Sequence, residues 1–221
     1  EIAQLWRMRA KDNARALVGY ERVVRIAPDL MAGTPEGDAV RRLVVHALEA
    51  MSQMFAANSE WREVVLIGQK RLNIAVEQAE PMQAAAILIE MAQVYEEKLQ
   101  EPGEGFTLRK QAFEIAPDLL SLEQLSAVAE KYGQWQPLCD LHVARVREAQ
   151  EHGDELAIES LLAAANIYEQ RLHEPQAAFK LLRKSLPMSV SAAIAVTTPG
   201  ESLQRMMVEM NRLVRIIGKR D

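Results

Sequence analysis

Hydrophobic residues along this chain recur at intervals of three and four, which is the period of an amphipathic α-helix. The clearest stripe has the spacing i, i+3, i+4, i+7 and consists of Leu88, Met91, Ala92 and Tyr95. It stops at residues 101–103, which read Glu-Pro-Gly, and a second apolar stripe then runs from Phe106 to Ile115. Proline is tolerated in the first turn of a helix but not in its interior. The pattern therefore predicts two helices joined by a short turn.

This pair of stripes occurs more than once. The stretch 95–110 aligns without a gap with the stretch starting at Tyr168, 73 residues later, and Trp61 has a counterpart in Trp135, 74 residues later. Two alternating units within that distance give about 36 residues per unit, the length of a helix–turn–helix repeat. A single hairpin of this kind cannot bury its own apolar face, so we expect each unit to stack on its neighbour.

The residues at corresponding positions resemble the tetratricopeptide repeat, and the turns and "APD" ends are similar to those of long bacterial arrays. The first helices carry the family's pattern in Leu48, Met51, Ser52 and Phe55; Leu88, Met91, Ala92 and Tyr95; Leu122, Leu125 and Ser126; and Leu161, Ala164, Ala165 and Tyr168. A partial N-terminal repeat supplies Ala16, Tyr20, Val23 and Pro28. The resemblance covers about 1–186. It implies an all-α fold, a right-handed α-α superhelix or solenoid of about nine or ten helices.

Three departures from the family's pattern carry structural predictions. The turn after Tyr95 and after Tyr168 is one residue longer than usual. Additional residues before Trp61 predict an extended helix behind a loop, with Thr34 as its cap and Pro35 in its first turn. The recurring aromatic residues Tyr95, Tyr168, Trp61 and Trp135 are expected to be largely buried between helices.

The period ends near Ser185, and residues 187–199 are predicted to be a linker. A further helix over 200–218 is then indicated by Thr198, Pro199 and Glu201, which have the spacing of a capping box with a proline in the first turn. Residues 187–221 have a net charge of +2 and are rich in methionine. Such a helix either caps the last apolar face of the array or binds a partner or membrane surface.

Composition and charge exclude several classes of protein. The 221 residues are 49% hydrophobic and 26% charged, with a net charge of −5, so the chain can bury a substantial core. One cysteine permits neither an internal disulfide nor a four-cysteine zinc site, and no apolar stretch reaches the roughly 18 residues of a membrane span. The acidic charge and the lack of a basic stripe argue against nucleic acid as a partner. The chain opens inside an amphipathic pattern, as an excerpt of a longer protein would, and we expect a cytoplasmic location.

No catalytic motif is present in the sequence, and we expect neither an enzyme nor a cofactor site. There is no glycine-rich phosphate loop and no G-x-S-x-G or H-E-x-x-H pattern. Cys139 and His142 lie one helical turn apart, which could place two metal ligands on one face. A third ligand is hard to find, so we interpret them as a core cysteine with an incidental histidine and predict no metal site.

The resemblance implies that the first helices line a concave groove in which another protein or peptide docks. The residues that correspond to this face are His46, Glu49, Gln53, Ile89, Gln93, Glu96, Glu97, Glu123, Glu130, Glu159, Asn166, Glu169 and Gln170. Seven of them are carboxylates, which would suit a basic partner, although the same charges could form only a solvated surface. The leading hypothesis is a non-catalytic interaction scaffold, with self-association through exposed array ends as a further option. The alternative is a regulatory or sensor segment of a larger enzyme or ATPase.

Overall fold

The computed structural model describes residues 12–26, 35–152, 156–195 and 201–218, and all secondary structure within them is helical. The predicted all-α class is therefore confirmed. Ten α-helices occupy these residues: α1 Asn13–Ile26, α2 Pro35–Ala57, α3 Trp61–Glu77, α4 Pro81–Val94, α5 Pro102–Ile115, α6 Leu122–Tyr132, α7 Trp135–His152, α8 Leu156–Asn166, α9 Pro175–Ala195 and α10 Glu201–Ile217. Among these helices, none is long and apolar enough to cross a membrane.

Five of the turns between helices share one backbone device. In each, a residue with positive φ stands two positions before the next helix begins: Ser59, Ala79, Gln100, Gly133 and His173. The residue after it then donates its backbone N–H to a carbonyl in the last turn of the preceding helix, as Glu80 does to Ala75 over 3.0 Å. This bond satisfies one of the carbonyls left free at a helix end. The device reverses the chain within very few residues.

The longer turns predicted after Tyr95 and Tyr168 are accommodated by π-helical turns. These turns, Tyr95–Leu99 and Ile167–Arg171, extend α4 and α8. The N–H groups of Glu101 and Glu174 reach back six residues, to Tyr95 and Tyr168, rather than the five seen at Ala75. The extra residue of each twin stretch is thus absorbed in a widened helical turn, a feature that often occurs at functional positions.

Two other helices bear on the sequence predictions. The helix α2 begins at Pro35 and continues for 23 residues, which confirms the extended helix, whereas Thr34 lies outside the described residues. The helix α9 continues through Pro187 to Ala195, so these residues are helical and not the irregular linker that was predicted. An interior proline removes one helical hydrogen bond and crowds the carbonyl four residues earlier, and the helix nevertheless continues here into residues 192–195, three of which are alanines that favour it. The proposed cap at Thr198 and Pro199 is outside the described residues.

The chain divides into two compact units, Glu1–Leu122 and Glu123–Asp221. In the first unit, α1, α2 and α3 share one apolar cluster, and α3, α4 and α5 share another. In the second unit, helices α7 to α10 share a cluster in which Met206 and Leu213 of α10 are 0% exposed. Each helix therefore buries its apolar stripe against its neighbours in the chain.

The recurring aromatic residues Trp61, Tyr95, Trp135 and Tyr168 are half-buried, and none of them is completely enclosed. The Lys98 ammonium lies 5.3 Å from the centre of the Trp61 ring. The Arg171 guanidinium lies 4.4 Å from the centre of the Trp135 ring. Lys98 and Arg171 occupy equivalent positions of the twin stretches. In each of these two pairs the cation lies over one face of the indole ring, which is a cation–π contact.

The shared turn conformation predicts opposite effects of two substitutions. Alanine is strained at positive φ whereas glycine is not. We expect Ala79→Gly to raise the free energy of unfolding by about 0.5–1 kcal/mol and Gly133→Ala to lower it by about 1 kcal/mol. A methyl group at Gly133 would meet nothing within 4 Å, so backbone strain alone acts there. Urea unfolding measures both values, and the same sign for the two variants would contradict this account.

Candidate functional site

The second unit contains a groove of about 680 Å³. Its walls come from α6, α7, α8, the π turn after α8, and α10. The lining residues are Glu123, Ser126, Ala127, Glu130, Trp135, Leu138, His142, Glu159, Leu162, Ala163, Asn166, Ile167, Arg171 and Arg205. Buried apolar side chains, among them Leu138 and Ile167, form its floor, and exposed charged side chains form its rim. An apolar floor with a few polar groups is the usual character of a binding site.

Four of the residues that the family resemblance implies for the ligand-binding face lie along this groove. They are Glu123 and Glu130 of α6 and Glu159 and Asn166 of α8, and all four are exposed. Glu123 and Glu130 are seven residues apart on α6, and Glu159 and Asn166 are seven apart on α8, so each pair shares one face of its helix. Gln170 is also predicted and exposed, but it does not line the groove.

Two arginines partly neutralise the acidic rim. Arg171 lies 3.0 Å from Glu130, and Arg205 lies 3.2 Å from Glu159. Both pairs are well exposed, so each contributes only about 0–1 kcal/mol and can exchange partners. Glu123 has no ion-pair partner within the described residues. The rim thus keeps one carboxylate more than it has guanidinium groups.

The predicted face in the first unit is more dispersed. His46, Gln53, Gln93 and Glu97 are exposed, and Ile89 is half-buried. Glu49 lies 3.7 Å from Arg71, whose Nη1 donates to Glu90 over 2.8 Å. These side chains do not line the groove described above, because that groove belongs wholly to the second unit.

Glu96, one of the residues predicted to offer its charge to a partner, is instead 4% exposed and paired internally. Arg109 donates to its two oxygens from Nε over 2.6 Å and from Nη2 over 2.9 Å. Gly105 makes room for this arrangement, because a Cβ there would lie 2.6 Å from Cγ of Glu96. The charge therefore stabilises the α4–α5 hairpin and is withdrawn from the surface.

The equivalent carboxylate of the second unit, Glu169, finds a different partner. The counterparts of Gly105 and Arg109 are Ala178 and Leu182, which offer neither the space nor the guanidinium. The side chain of Glu169 is 9% exposed and instead accepts hydrogen bonds from Arg212 of α10. The bond from Nη1 of Arg212 to Oε1 of Glu169 is 2.8 Å long. Hydrogen bonds to Glu209 and Glu169 raise the pKa of Arg212. The buried charge of the last hairpin thus fastens the C-terminal helix to it.

His142 is a groove residue that the sequence did not assign to the site. The position equivalent to it in the first unit is Gly68, over which Met91 is packed so closely that a Cβ would lie 2.6 Å from Cγ of Met91. The counterpart of Met91 is Ala164. The larger side chain of the pair thus belongs to α4 in the first unit, as Met91, and to α7 in the second, as His142. The change from glycine at position 68 to histidine at the equivalent position 142 is the sequence signal that could have identified His142.

The imidazole of His142 is held neutral. It is 5% exposed, and burial together with the smaller effect of the Arg145 charge lowers its pKa to about 4 from the usual 6.5. Its Nδ1 is enclosed and has no hydrogen-bond partner within the described residues. Cys139, one turn earlier, is fully buried with its thiol 3.6 Å from the Ala164 carbonyl, and burial raises its pKa to about 11. The interpretation of Cys139 as a core residue is confirmed.

Comparisons with known proteins add no assignment to this geometry. No protein-family model matches the sequence, and no curated protein matches it significantly. Within the described part of the chain, no three residues among histidine, cysteine, aspartate and glutamate are grouped as metal ligands would be.

The buried pair in the first unit predicts a large difference between neighbouring carboxylates. Glu96→Gln leaves the Arg109 charge buried without its partner, and we expect it to lower the free energy of unfolding by about 3–5 kcal/mol. Glu97→Gln is the matched control, because Glu97 is exposed and its loss should change stability by about 0.5 kcal/mol or less. Urea unfolding of both variants tests this, and similar values for the two would contradict the internal role of Glu96.

The lowered pKa of His142 predicts a pH-dependent loss of stability. Between pH 6.5 and about 4 the unfolded chain binds a proton on this imidazole that the folded chain does not, so stability falls as the pH falls through this window. The total is roughly 3 kcal/mol. We expect His142→Met to lack this component, while the carboxylate titrations remain common to both proteins. Unfolding measured at pH 7 and pH 4.5 tests it; identical losses in the two proteins would show that His142 does not titrate in this way.

Proposed function

We propose that this chain is a non-catalytic interaction scaffold, a tetratricopeptide-like array whose second unit binds a segment of another protein in the groove of α6, α7 and α8. The observation that carries the proposal is that Glu123, Glu130, Glu159 and Asn166, which the family resemblance implies for the ligand-binding face, line one groove. The superhelical arrangement that the family resemblance implies is part of this proposal.

The character of the groove favours a peptide segment as its occupant. Leu138, Leu162 and Ile167 offer an apolar floor, against which one or two apolar side chains of a peptide can be buried. The exposed charges stand at the rim, where they can contact the polar side of a bound helix or strand. An amphipathic segment seated in a groove of this kind uses its apolar side chains for affinity and its polar ones for orientation.

The charges of the rim refine the expected partner. Glu123 is the carboxylate available to a lysine or arginine of the peptide, whereas Glu130 and Glu159 are already paired with Arg171 and Arg205. A basic residue at one position of the peptide is therefore favoured over a uniformly basic peptide. Such exposed charges act mainly on association rate and partner choice, and this contribution should weaken as salt rises.

The C-terminal helix α10 has two roles in this proposal. Met206 and Leu213 cover the apolar face of the last hairpin, as a cap does. Arg205 of the same helix also closes one side of the groove through its pair with Glu159. The cap thereby contributes to the binding surface rather than occupying it.

The test is a steric block of the groove with a matched charge control. Ala127 of α6 is exposed and lines the groove, whereas Gln111 of α5 is exposed and belongs to the other unit. Peptides selected on the unchanged chain from a phage-displayed library should bind Ala127→Arg about tenfold more weakly, because the new side chain fills the groove and adds a positive charge to it. Gln111→Arg should bind them unchanged. Equal binding to the two variants would sink the proposal.

A further inference from the structure

Packing alone does not require an imidazole at position 142. In the first unit the equivalent site is filled by the apolar side chain of Met91 above Gly68, and that arrangement is well buried. A methionine on α7 facing Ala164 would be the mirror solution. The chain instead has a histidine there and leaves its Nδ1 without a partner. A buried polar group of this kind calls for an explanation beyond packing.

The position of the unpartnered nitrogen fixes what the imidazole can offer. A neutral imidazole has one N–H donor and one acceptor nitrogen. An enclosed N–H without a partner is rarer than an enclosed acceptor without one, so we assign the proton to Nε2. His142 lines the groove, and Nε2–H is then the hydrogen-bonding group that a ligand in the groove can use as a donor.

Asn166 supplies the complementary group. It lines the same groove and is exposed, and its side-chain amide makes no hydrogen bond within the described residues. The nearby carboxylates Glu130 and Glu159 disfavour a ligand anion, and the guanidinium groups paired with them disfavour an additional cation. A neutral group that both accepts and donates hydrogen bonds suits this pair of side chains best.

We propose that the groove recognises a side-chain amide of the bound peptide, an asparagine or a glutamine, through His142 and Asn166. The carbonyl oxygen of the ligand amide accepts from Nε2 of His142, and its NH₂ group donates to Oδ1 of Asn166. This deepens the proposed peptide-binding function and rests on it. A ligand of equal size that lacks the amide would enclose the buried imidazole of His142 without a partner for its N–H, and a site rejects such a ligand for that reason.

The experiment uses a phage-displayed library of 16-residue random peptides, panned in parallel on the full chain and on four variants. Ala127→Arg identifies the peptides that depend on the groove. His142→Met gives the apolar filling found in the first unit, His142→Gln keeps a hydrogen-bonding side chain, and Asn166→Leu removes the second polar group at an exposed position. Circular dichroism and thermal unfolding check that each variant is folded, and Asn166→Leu keeps the test decisive if His142→Met does not fold.

Among groove-dependent peptides, we expect asparagine or glutamine at one position to be enriched about fivefold on the unchanged chain and on His142→Gln, and not on His142→Met or Asn166→Leu. Replacing that residue by leucine in a synthetic peptide should weaken binding to the unchanged chain about tenfold and binding to His142→Met much less. Equal enrichment on the unchanged chain, His142→Met and Asn166→Leu would overturn amide recognition and leave the peptide groove intact. If no selected peptide depends on Ala127, the peptide groove and the inference both fail.

Discussion

Burial of apolar helix faces against helices that are consecutive in the chain is the constraint on which the rest of this molecule depends. A helical hairpin with so few aromatic residues gains little from its own interior, so it must be covered by the hairpins before and after it. The three apolar clusters reflect this, because each joins helices that are consecutive in the chain. The tight turns with one residue at positive φ keep those helices antiparallel and adjacent. The side chains that line the groove of the second unit are positioned by this stacking.

The two units fill equivalent positions between neighbouring helices with different side chains. Met91 lies above Gly68 in the first unit, and the equivalent positions of the second unit hold Ala164 and His142, so the larger side chain comes from the other helix and is polar. Interiors are packed densely enough that a large side chain on one helix requires a small one opposite. The exchange places a neutral imidazole in the wall of the groove.

The buried carboxylates of the two units are likewise equivalent in position but differ in their partners. Glu96 and Glu169 occupy equivalent positions at the ends of first helices, and each needs a guanidinium because an unpaired charge cannot remain buried. Glycine at 105 opens the path to Arg109 within the hairpin, whereas alanine at the counterpart position turns Glu169 toward Arg212. The first hairpin, with glycine at 105, pairs its carboxylate internally. The second, with alanine at 178, pairs its carboxylate with α10, the helix that also carries Arg205 of the groove.

The sequence by itself determined the features that depend on short-range geometry. Periodicity, prolines and the twin stretches predicted the helical hairpins and the start of the extended helix at Pro35. Only the tertiary structure decided which charges on the predicted ligand-binding face are available, because the partners of Glu96 and Glu169 come from residues 13 and 43 positions away. It also decided that His142 belongs to a groove and that α9 continues past Pro187. Ion pairing and burial depend on which helices meet, and a local pattern of residues does not contain that information.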